Sequence, residues 1–284
     1  MKRGSDVDVA ALLATMEGIA CAAGRRIVVH AAAAADWTAK PDGSPVTIAD
    51  KAAEHVIRER LAAEFPGIPV VAEELAAAGG LPVVTGPRFF LVDPLDGTRE
   101  FVKGSTDYTV NIALVENGEP VAGVIVAPAK GMMFSGAGES ATRSTIAADG
   151  AVTERTAIRV RRREPGAPLA AVVSVSHMND ATRAFVEGIR VASASPVGSS
   201  LKFCLLASGA ADIYPRFGQT MQWDTAAGEV ILRAAGGVTL TPLGEPLTYG
   251  SGGCASGGGD AYRNPDFVAY AGPRSELQAL LQRA

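Results

Sequence analysis

The sequence predicts a layered α/β sandwich with mixed or antiparallel sheets. Short apolar runs alternate with amphipathic stretches along the chain, the pattern of sheets covered by helices. Two of these runs, Val110 to Val115 and Val121 to Ala127, flank Asn117-Gly118, a turn pair that joins neighbouring antiparallel strands. The chain of 284 residues is 48% apolar and 20% charged, which is enough apolar material for a large buried core.

In chain order, Val9 to Ala35 is alanine-rich and reads as a helix with Leu12, Leu13, Met16 and Ile19 on one face. The polar loop Lys40-Pro41-Asp42-Gly43-Ser44-Pro45 follows. A second helix starts near Thr47. Its Ile57, Leu61 and Phe65 recur every fourth residue as a buried stripe, and Pro66-Gly67 ends it. Ile68 to Ala72 reads as a strand ending at Glu73-Glu74, and Phe89 to Val92 as another ending at Asp93. Met132 to Ser135 extends the hairpin into a meander. The arginine-rich stretch Ala147 to Gly166, with Arg159, Arg161, Arg162 and Arg163, marks a border between halves 1–155 and 156–284 of one catalytic unit. In the second half Ala170 to Ser176, Ala211 to Tyr214, Val238 to Thr241 and Phe267 to Ala271 read as strands. Ala181 to Gly188, Ser200 to Ala207 and Thr225 to Ala235 read as helices. Gly250 to Gly259 lacks the lysine and spacing of a P-loop and reads as a surface loop.

Composition excludes several functions. Net charge is −4, from 26 basic and 30 acidic side chains, which argues against holding a nucleic-acid polymer on a broad basic face. Cys21, Cys204 and Cys254 are odd in number and far apart, so they read as free thiols rather than a disulfide framework or zinc site. His30, His55 and His177 have no ligand spacing. No apolar stretch reaches the roughly 18 residues of a membrane span, and no signal peptide is evident.

The informative pattern is where carboxylates fall. Glu73 and Asp93 each sit just beyond an apolar strand, and Asp96 lies on the turn after Asp93. Strand ends lie at the rim of a sheet, where clefts form. Carboxylates gathered there repel one another unless a cation lies between them, and oxygen-only ligands select a hard ion such as Mg²⁺. Pro94 stiffens the turn, the Leu95 carbonyl is a further oxygen donor, and Asp96-Gly97-Thr98 opens a short helix whose N–H groups suit an anion. Each piece has a plainer reading. An Asp-Gly pair is an ordinary turn. Asp224 before Thr225-Ala226-Ala227-Gly228 is an N-cap, and Asp50, three residues after Thr47, completes a capping box.

Taken together, Glu73-Glu74, Asp93-Pro94-Leu95-Asp96-Gly97-Thr98 and Trp223-Asp224-Thr225-Ala226-Ala227-Gly228 resemble the signature of the lithium-sensitive, magnesium-dependent phosphatases related to inositol monophosphatase. The resemblance runs from about Lys40 to the tail. It implies a five-layer αβαβα sandwich and two or three Mg²⁺ ions. Glu73, Asp93 and the Leu95 carbonyl would hold one ion, and Asp93, Asp96 and Asp224 a second. Thr98 and Asp50 would activate the attacking water. Gly97 and Thr98 N–H groups would steady the phosphate, which Glu73, Leu95, Asp96 and Asp224 would also contact.

Finer features resemble the nucleotidase branch of that family: Lys40 to Thr47, Thr98-Arg99-Glu100-Phe101, Gly198-Ser199-Ser200-Leu201-Lys202-Phe203-Cys204 and Tyr214-Pro215-Arg216-Phe217-Gly218. Inositol phosphatases carry a Thr-Asn pair or similar before the Phe. The branch implies a nucleoside bisphosphate substrate, with the 3′-phosphate of adenosine 3′,5′-bisphosphate removed to leave AMP in sulfate assimilation. Ser200, Lys202 and Arg216 would anchor the second phosphate, although Lys202 and Arg216 alone read as solvated charges. His177 would line the adenine pocket or stand as a surface histidine. The branch also implies a cytoplasmic location, with peripheral attachment at the inner membrane. The stretch Gly252 to Gly259 departs from it in its glycine content. Rival readings are inositol monophosphate or fructose 1,6-bisphosphate as substrate, and a non-catalytic Mg²⁺ or nucleotide sensor. Intact Glu73, Asp93, Asp96, Thr98 and Asp224 argue against the sensor.

Overall fold

The structure, a computed structural model, describes residues 9–31, 34, 36–40, 43–82, 84, 86–164, 166–251 and 259–283. Helix α1 (Val9–Val29) buries Leu12, Met16, Ile19 and Ile27 along one side. It ends six residues before the sequence suggests, because alanine content without further core residues does not extend a buried stripe. Strands β1 (Trp37–Ala39) and β2 (Pro45–Thr47) form a small antiparallel hairpin around the polar loop. Helix α2 (Ile48–Glu64) then starts as expected on the N-cap Thr47 and stops at Phe65.

Next come β3 (Val70–Ala72), α3 (Glu73–Ala77), β4 (Arg88–Asp96), α4 (Thr98–Val102), β5 (Thr109–Glu116), β6 (Glu119–Ala127), β7 (Met132–Ala137), β8 (Ser140–Ile146) and β9 (Val152–Ala157). The seven strands form one sheet in sequence order, antiparallel except for the parallel pair β3 and β4. The hairpin at Asn117-Gly118 forms with φ of 53° and 83°, the two positive values a type I′ turn needs.

The rest of the chain supplies β10 (Leu169–Ser174), α5 (Asp180–Gly188), β11 (Val191–Val197), α6 (Leu201–Ala207), β12 (Ile213–Arg216), α7 (Gln222–Ala234), β13 (Val238–Leu240), β14 (Phe267–Tyr270) and α8 (Arg274–Leu281). Its five-stranded sheet has the order β11-β10-β12-β14-β13.

Alternation along the strands builds the layers. Phe90 and Val92 of β4 pack with α1 and α2, while Phe89 and Leu91 pack with α6 and α7. Tyr214 of β12 and Phe267 of β14 face that same middle layer. Ile213 and Val268 face the outer layer, which holds Leu277 of α8 and Phe185 of α5. The order is helix, sheet, helix, sheet, helix, which is the αβαβα sandwich expected.

Seven elements went unseen in the sequence: β1, β2, α3, β8, β9, β11 and α8. Every residue of β9 is exposed, and β11 is exposed between its half-buried ends Val191 and Val197, so neither carries an apolar alternation. Strand β8 and helix α8 bury too little to show a stripe; Leu277 is the one buried residue of α8. The arginine-rich stretch has a structural use. Arg161 Nε donates to Asp212 Oδ1 at 2.6 Å, and Arg163 lies 3.7 Å from Oδ2. Cys21 and Cys204 are free and buried; Cys254 and most of the expected Gly250 to Gly259 loop lie outside the described residues. No helix among the described residues is long and apolar enough to cross a membrane.

Candidate active site

Where β4 leaves its regular ladder the carboxylates converge. Asp93 pairs with Asn111 and Asp96 with Thr109, so three steps on β4 match two on β5. In a regular strand, residues three apart point to opposite faces. The bulge removes that mismatch, and both aspartates take the face shared by Thr109 and Asn111, toward α6 and α7. The sequence suggests a strand ending at Asp93; the bulged ladder instead continues to Asp96.

One cavity of about 180 Å³ is lined by Glu73, Asp93, Leu95, Asp96, Gly97, Thr98, Ser200, Lys202, Arg216 and Asp224. Asp50 reaches it through Thr98. Every residue singled out from the sequence is thus at this cavity or bonded to its wall. Glu73 is the first residue of α3, whose amides at Glu74 and Leu75 donate to the buried Glu54 at 2.8 and 3.4 Å. Leu95 N donates to Asp93 Oδ1 at 3.0 Å, closing the turn around Pro94. Gly97 has φ of 91°, and a Cβ there would stand 3.0 Å from the Asp107 carbonyl, so the turn into α4 requires glycine.

Asp50 divides its two oxygens. Oδ2 accepts from Thr47 N at 2.7 Å and Thr47 Oγ1 at 2.6 Å, which is the capping box. Oδ1 accepts from Thr98 Oγ1 at 2.9 Å. The Leu95 carbonyl lies 3.0 Å from the same Thr98 hydroxyl and competes for its single proton. Burial pushes the Asp50 pKa up, against the Thr47 and Thr98 hydrogen bonds.

Asp224 is not the N-cap of its helix. Helix α7 begins at Gln222, and Asp224 is its third residue, with Oδ2 accepting from Met221 N at 2.8 Å. From the first turn, the Asp224 carboxylate reaches back to the amide of the N-cap Met221. Ser200 gives its hydroxyl to Asp96 Oδ2 at 2.5 Å, with the Asp224 carbonyl at 2.8 Å. Asn111 Nδ2 donates to Ser200 Oγ at 2.8 Å and lies 3.3 Å from Asp96 Oδ2. The Ser200 proton is therefore committed within the protein.

Lys202 and Arg216 are buried, at 4% and 5% exposure, so they are not solvated surface charges. Lys202 Nζ donates to the carbonyls of Ser199 and Val197 at 2.5 and 3.1 Å and stands 5.0 Å from the Tyr214 ring centroid. Burial pushes its pKa down to about 8, opposed by Asp96. Arg216 donates to the carbonyls of His177 and Gln219 at 3.2 and 2.7 Å, and its buried Nε has no partner. His177 lines the rim, exposed on its outer side; burial of the ring, then Arg216 and Arg99, push its pKa down to about 4.

Electrostatics test whether a cation fits. Burial raises the pKa of Asp93, Asp224 and Asp96, and neighbouring carboxylates push each the same way. Four acids in one water-poor cavity, with no His or Cys ligand among them, suit a hard divalent ion. Among the described residues no three or more acidic, His or Cys side chains stand together as a closed metal cage. Lys40 Nζ lies 2.6 Å from Glu73 Oε1 and from Glu74 Oε1. Burial works against the Lys40 charge, but the two glutamates outweigh it and raise its pKa. The donor set fits Mg²⁺ once Glu73 is released from Lys40.

The sequence did not single out Asn111, Lys40 and Glu54 as parts of this site. Asn111 was visible as the polar break in an apolar strand, opposite Asp93. Glu54 on the buried side of α2 was a similar break in the stripe.

Comparison with known proteins agrees with the fold and the motifs. The model of the inositol monophosphatase family matches residues 2–270. The 3′(2′),5′-bisphosphate nucleotidase CysQ of Escherichia coli strain K12 is 42% identical over 214 residues, 75% of this chain and 83% of that protein. CysQ of Haemophilus influenzae is 31% identical over 86% of each chain. Among solved structures, CysQ from Bacteroides thetaiotaomicron superposes with a TM-score of 0.71 at 31% identity, over 93% of this chain and 98% of that one. The inositol monophosphatase of Anabaena gives a TM-score of 0.74 at 25% identity, over 98% of each chain. With its signature carboxylates gathered in one cavity of a matching sandwich, the chain belongs to the inositol monophosphatase family.

Proposed function

We propose that this protein is a magnesium-dependent 3′(2′),5′-bisphosphate nucleotidase, which removes the 3′-phosphate of adenosine 3′,5′-bisphosphate and leaves AMP, a reaction serving sulfate assimilation. The carrying observation is that one cavity joins the acidic cluster of Glu73, Asp93, Asp96 and Asp224 to the buried cations Lys202 and Arg216. A monophosphate needs only the acidic end. A second phosphate explains why two cations are kept in the dry wall of the same cavity. Similarity to CysQ proteins points to the same substrate class.

Glu73, Asp93, Asp96, Asp224 and the Leu95 carbonyl would hold two or three Mg²⁺ ions. Bound Mg²⁺ supplies positive charge to the phosphoryl oxygens and lowers the pKa of water. The chain's own residues do the rest. Thr98 donates its proton to Asp50, which leaves the Thr98 oxygen free to accept from the attacking water. The water oxygen bonds to phosphorus as the ester P–O bond breaks. The proton lost by water passes through Thr98 to Asp50, and the departing 3′-oxygen takes a proton from solvent. Gly97 and Thr98 amides steady the phosphate. Arg216 retains its Nε–H, and Lys202 one N–H, for the second phosphate. Ser200 acts on that end by holding Asp96 and the Asp224 backbone in place.

A phosphate-release panel tests the reading, with adenosine 3′,5′-bisphosphate, inositol 1-phosphate and fructose 1,6-bisphosphate, each with and without Mg²⁺. The expected result is fastest release from the nucleotide, dependent on Mg²⁺ and inhibited by Li⁺. Equal or greater kcat/KM on inositol 1-phosphate would overturn it.

A further inference from the structure

Three cations among the described residues line the cavity, and they are not equivalent. Lys202 and Arg216 brace the wall. Their bonds to the carbonyls of Val197, Ser199, His177 and Gln219 tie together the segments that close the second half of the site. Arg99 is different. It is exposed, and its guanidinium has no hydrogen bond or ion pair to any described residue. Its neighbour Glu100, the nearest acid in sequence, is buried and takes the Ser176 hydroxyl. Arg99 directly follows Thr98 in the first turn of α4, so its backbone moves with the residue that orients water. His177 lines the same cavity, and its pKa is pushed down by burial first, then by the charges of Arg216 and Arg99.

We propose that Arg99 is a specificity-determining residue: its guanidinium closes on the second phosphate of a bisphosphate substrate at the cavity mouth. The proposal rests on the nucleotidase reading above. An exposed arginine is ordinarily a solvated charge of little consequence. Two observations set this one apart: it lines the reaction cavity, and among the described residues no carboxylate pairs with its fork. A planar fork suits a phosphate with two free oxygens, and it can swing in only after substrate has entered. A nucleoside monophosphate, held at the acidic end, has nothing for Arg99 to grip. Arg99 thereby adds to the discrimination that Lys202 and Arg216 contribute at the second phosphate.

The experiment compares wild type, Arg99→Ala and Arg99→Lys on adenosine 3′,5′-bisphosphate and adenosine 3′-monophosphate, with kcat and KM measured separately at two salt concentrations. Arg99→Ala is expected to raise KM for the bisphosphate about tenfold, with kcat and the monophosphate KM within about twofold of wild type. Arg99→Lys falls between, since it keeps the charge and loses the fork. The KM gap between wild type and Arg99→Ala narrows as salt rises. With the wild type active on the bisphosphate, an Arg99→Ala enzyme that loses both substrates alike, or neither, overturns the role of Arg99 and leaves the nucleotidase reading standing. A wild type inactive on the bisphosphate overturns both.

Discussion

Asp50 divides one carboxylate between a helix cap and the proposed water-activating pair. Its Oδ2 caps α2 while Oδ1 faces Thr98. Capping and catalysis looked like rivals in the sequence; the geometry shows the cap and leaves Oδ1 on the Thr98 hydroxyl, where the proposed role needs it. Thr98 is the cleaner residue to change, because α4 does not depend on its hydroxyl for a cap. Thr98→Ala is expected to lower kcat by about 10²–10³, with Thr98→Ser retaining most activity, read by steady-state kinetics. Asp96→Asn is expected to abolish turnover, since it removes a charge from the ion cluster; wild-type-like activity in that variant would rule out Asp96 as a ligand. Lys202 and Arg216 were legible as cations and illegible as buried ones. Burial depends on what packs around them, and nothing local to either residue states it.

At the scale of elements, the site depends on how α7 sits on the seven-stranded sheet. Gly123 of β6 permits that approach: a Cβ there would stand 2.7 Å from the Ala227 carbonyl and 2.4 Å from Val230 Cγ1. Gly123→Ala must push α7 outward, carrying Asp224 with it. A loss of about 1–3 kcal/mol in unfolding free energy is expected, together with a higher Mg²⁺ concentration for half-maximal activity. In the second sheet, Asp212 fixes β12 beside β10. It accepts from Arg161 and from Ala170 N at 2.7 Å and is fully buried. Burial alone would raise its pKa, but the Arg161 hydrogen bonds, the Ala170 amide and the two guanidinium charges hold it below the usual carboxylate range. A depressed folded pKa means the contribution is complete above the unfolded value and fades as pH falls through the folded one. Asp212→Asn should cost about 3 kcal/mol near neutral pH, and the gap to wild type in urea melts should shrink in acid.

For the whole molecule, the acidic cluster draws on separate layers of the sandwich. Glu73, Asp93 and Asp96 come from the first sheet and its neighbouring helix, and Asp224 from the middle helical layer. Without a cation they repel across that junction, so Mg²⁺ should stabilise the fold as well as the reaction. Thermal melts are expected to shift upward with Mg²⁺, corresponding to about 2.7 kcal/mol at a hundredfold excess over Kd, and to lose most of that shift in Asp93→Asn. The apolar run Phe89 to Val92 and the Asn117-Gly118 turn were enough to read the middle strands of the seven-stranded sheet. Contiguous motifs determined the acidic cluster, because Asp93 to Thr98 and Trp223 to Gly228 are local strings. Strands β9 and β11 were not readable, since they are held by pairing to neighbours rather than by burying a face. Tertiary structure alone decided that Asp93 and Asp96 share a face, because the bulge is defined only against β5. It alone committed Ser200 to Asp96 and Lys40 to Glu73, and left Arg99 with no partner among the described residues. Those assignments depend on distances between residues far apart in the chain, which a linear pattern does not contain.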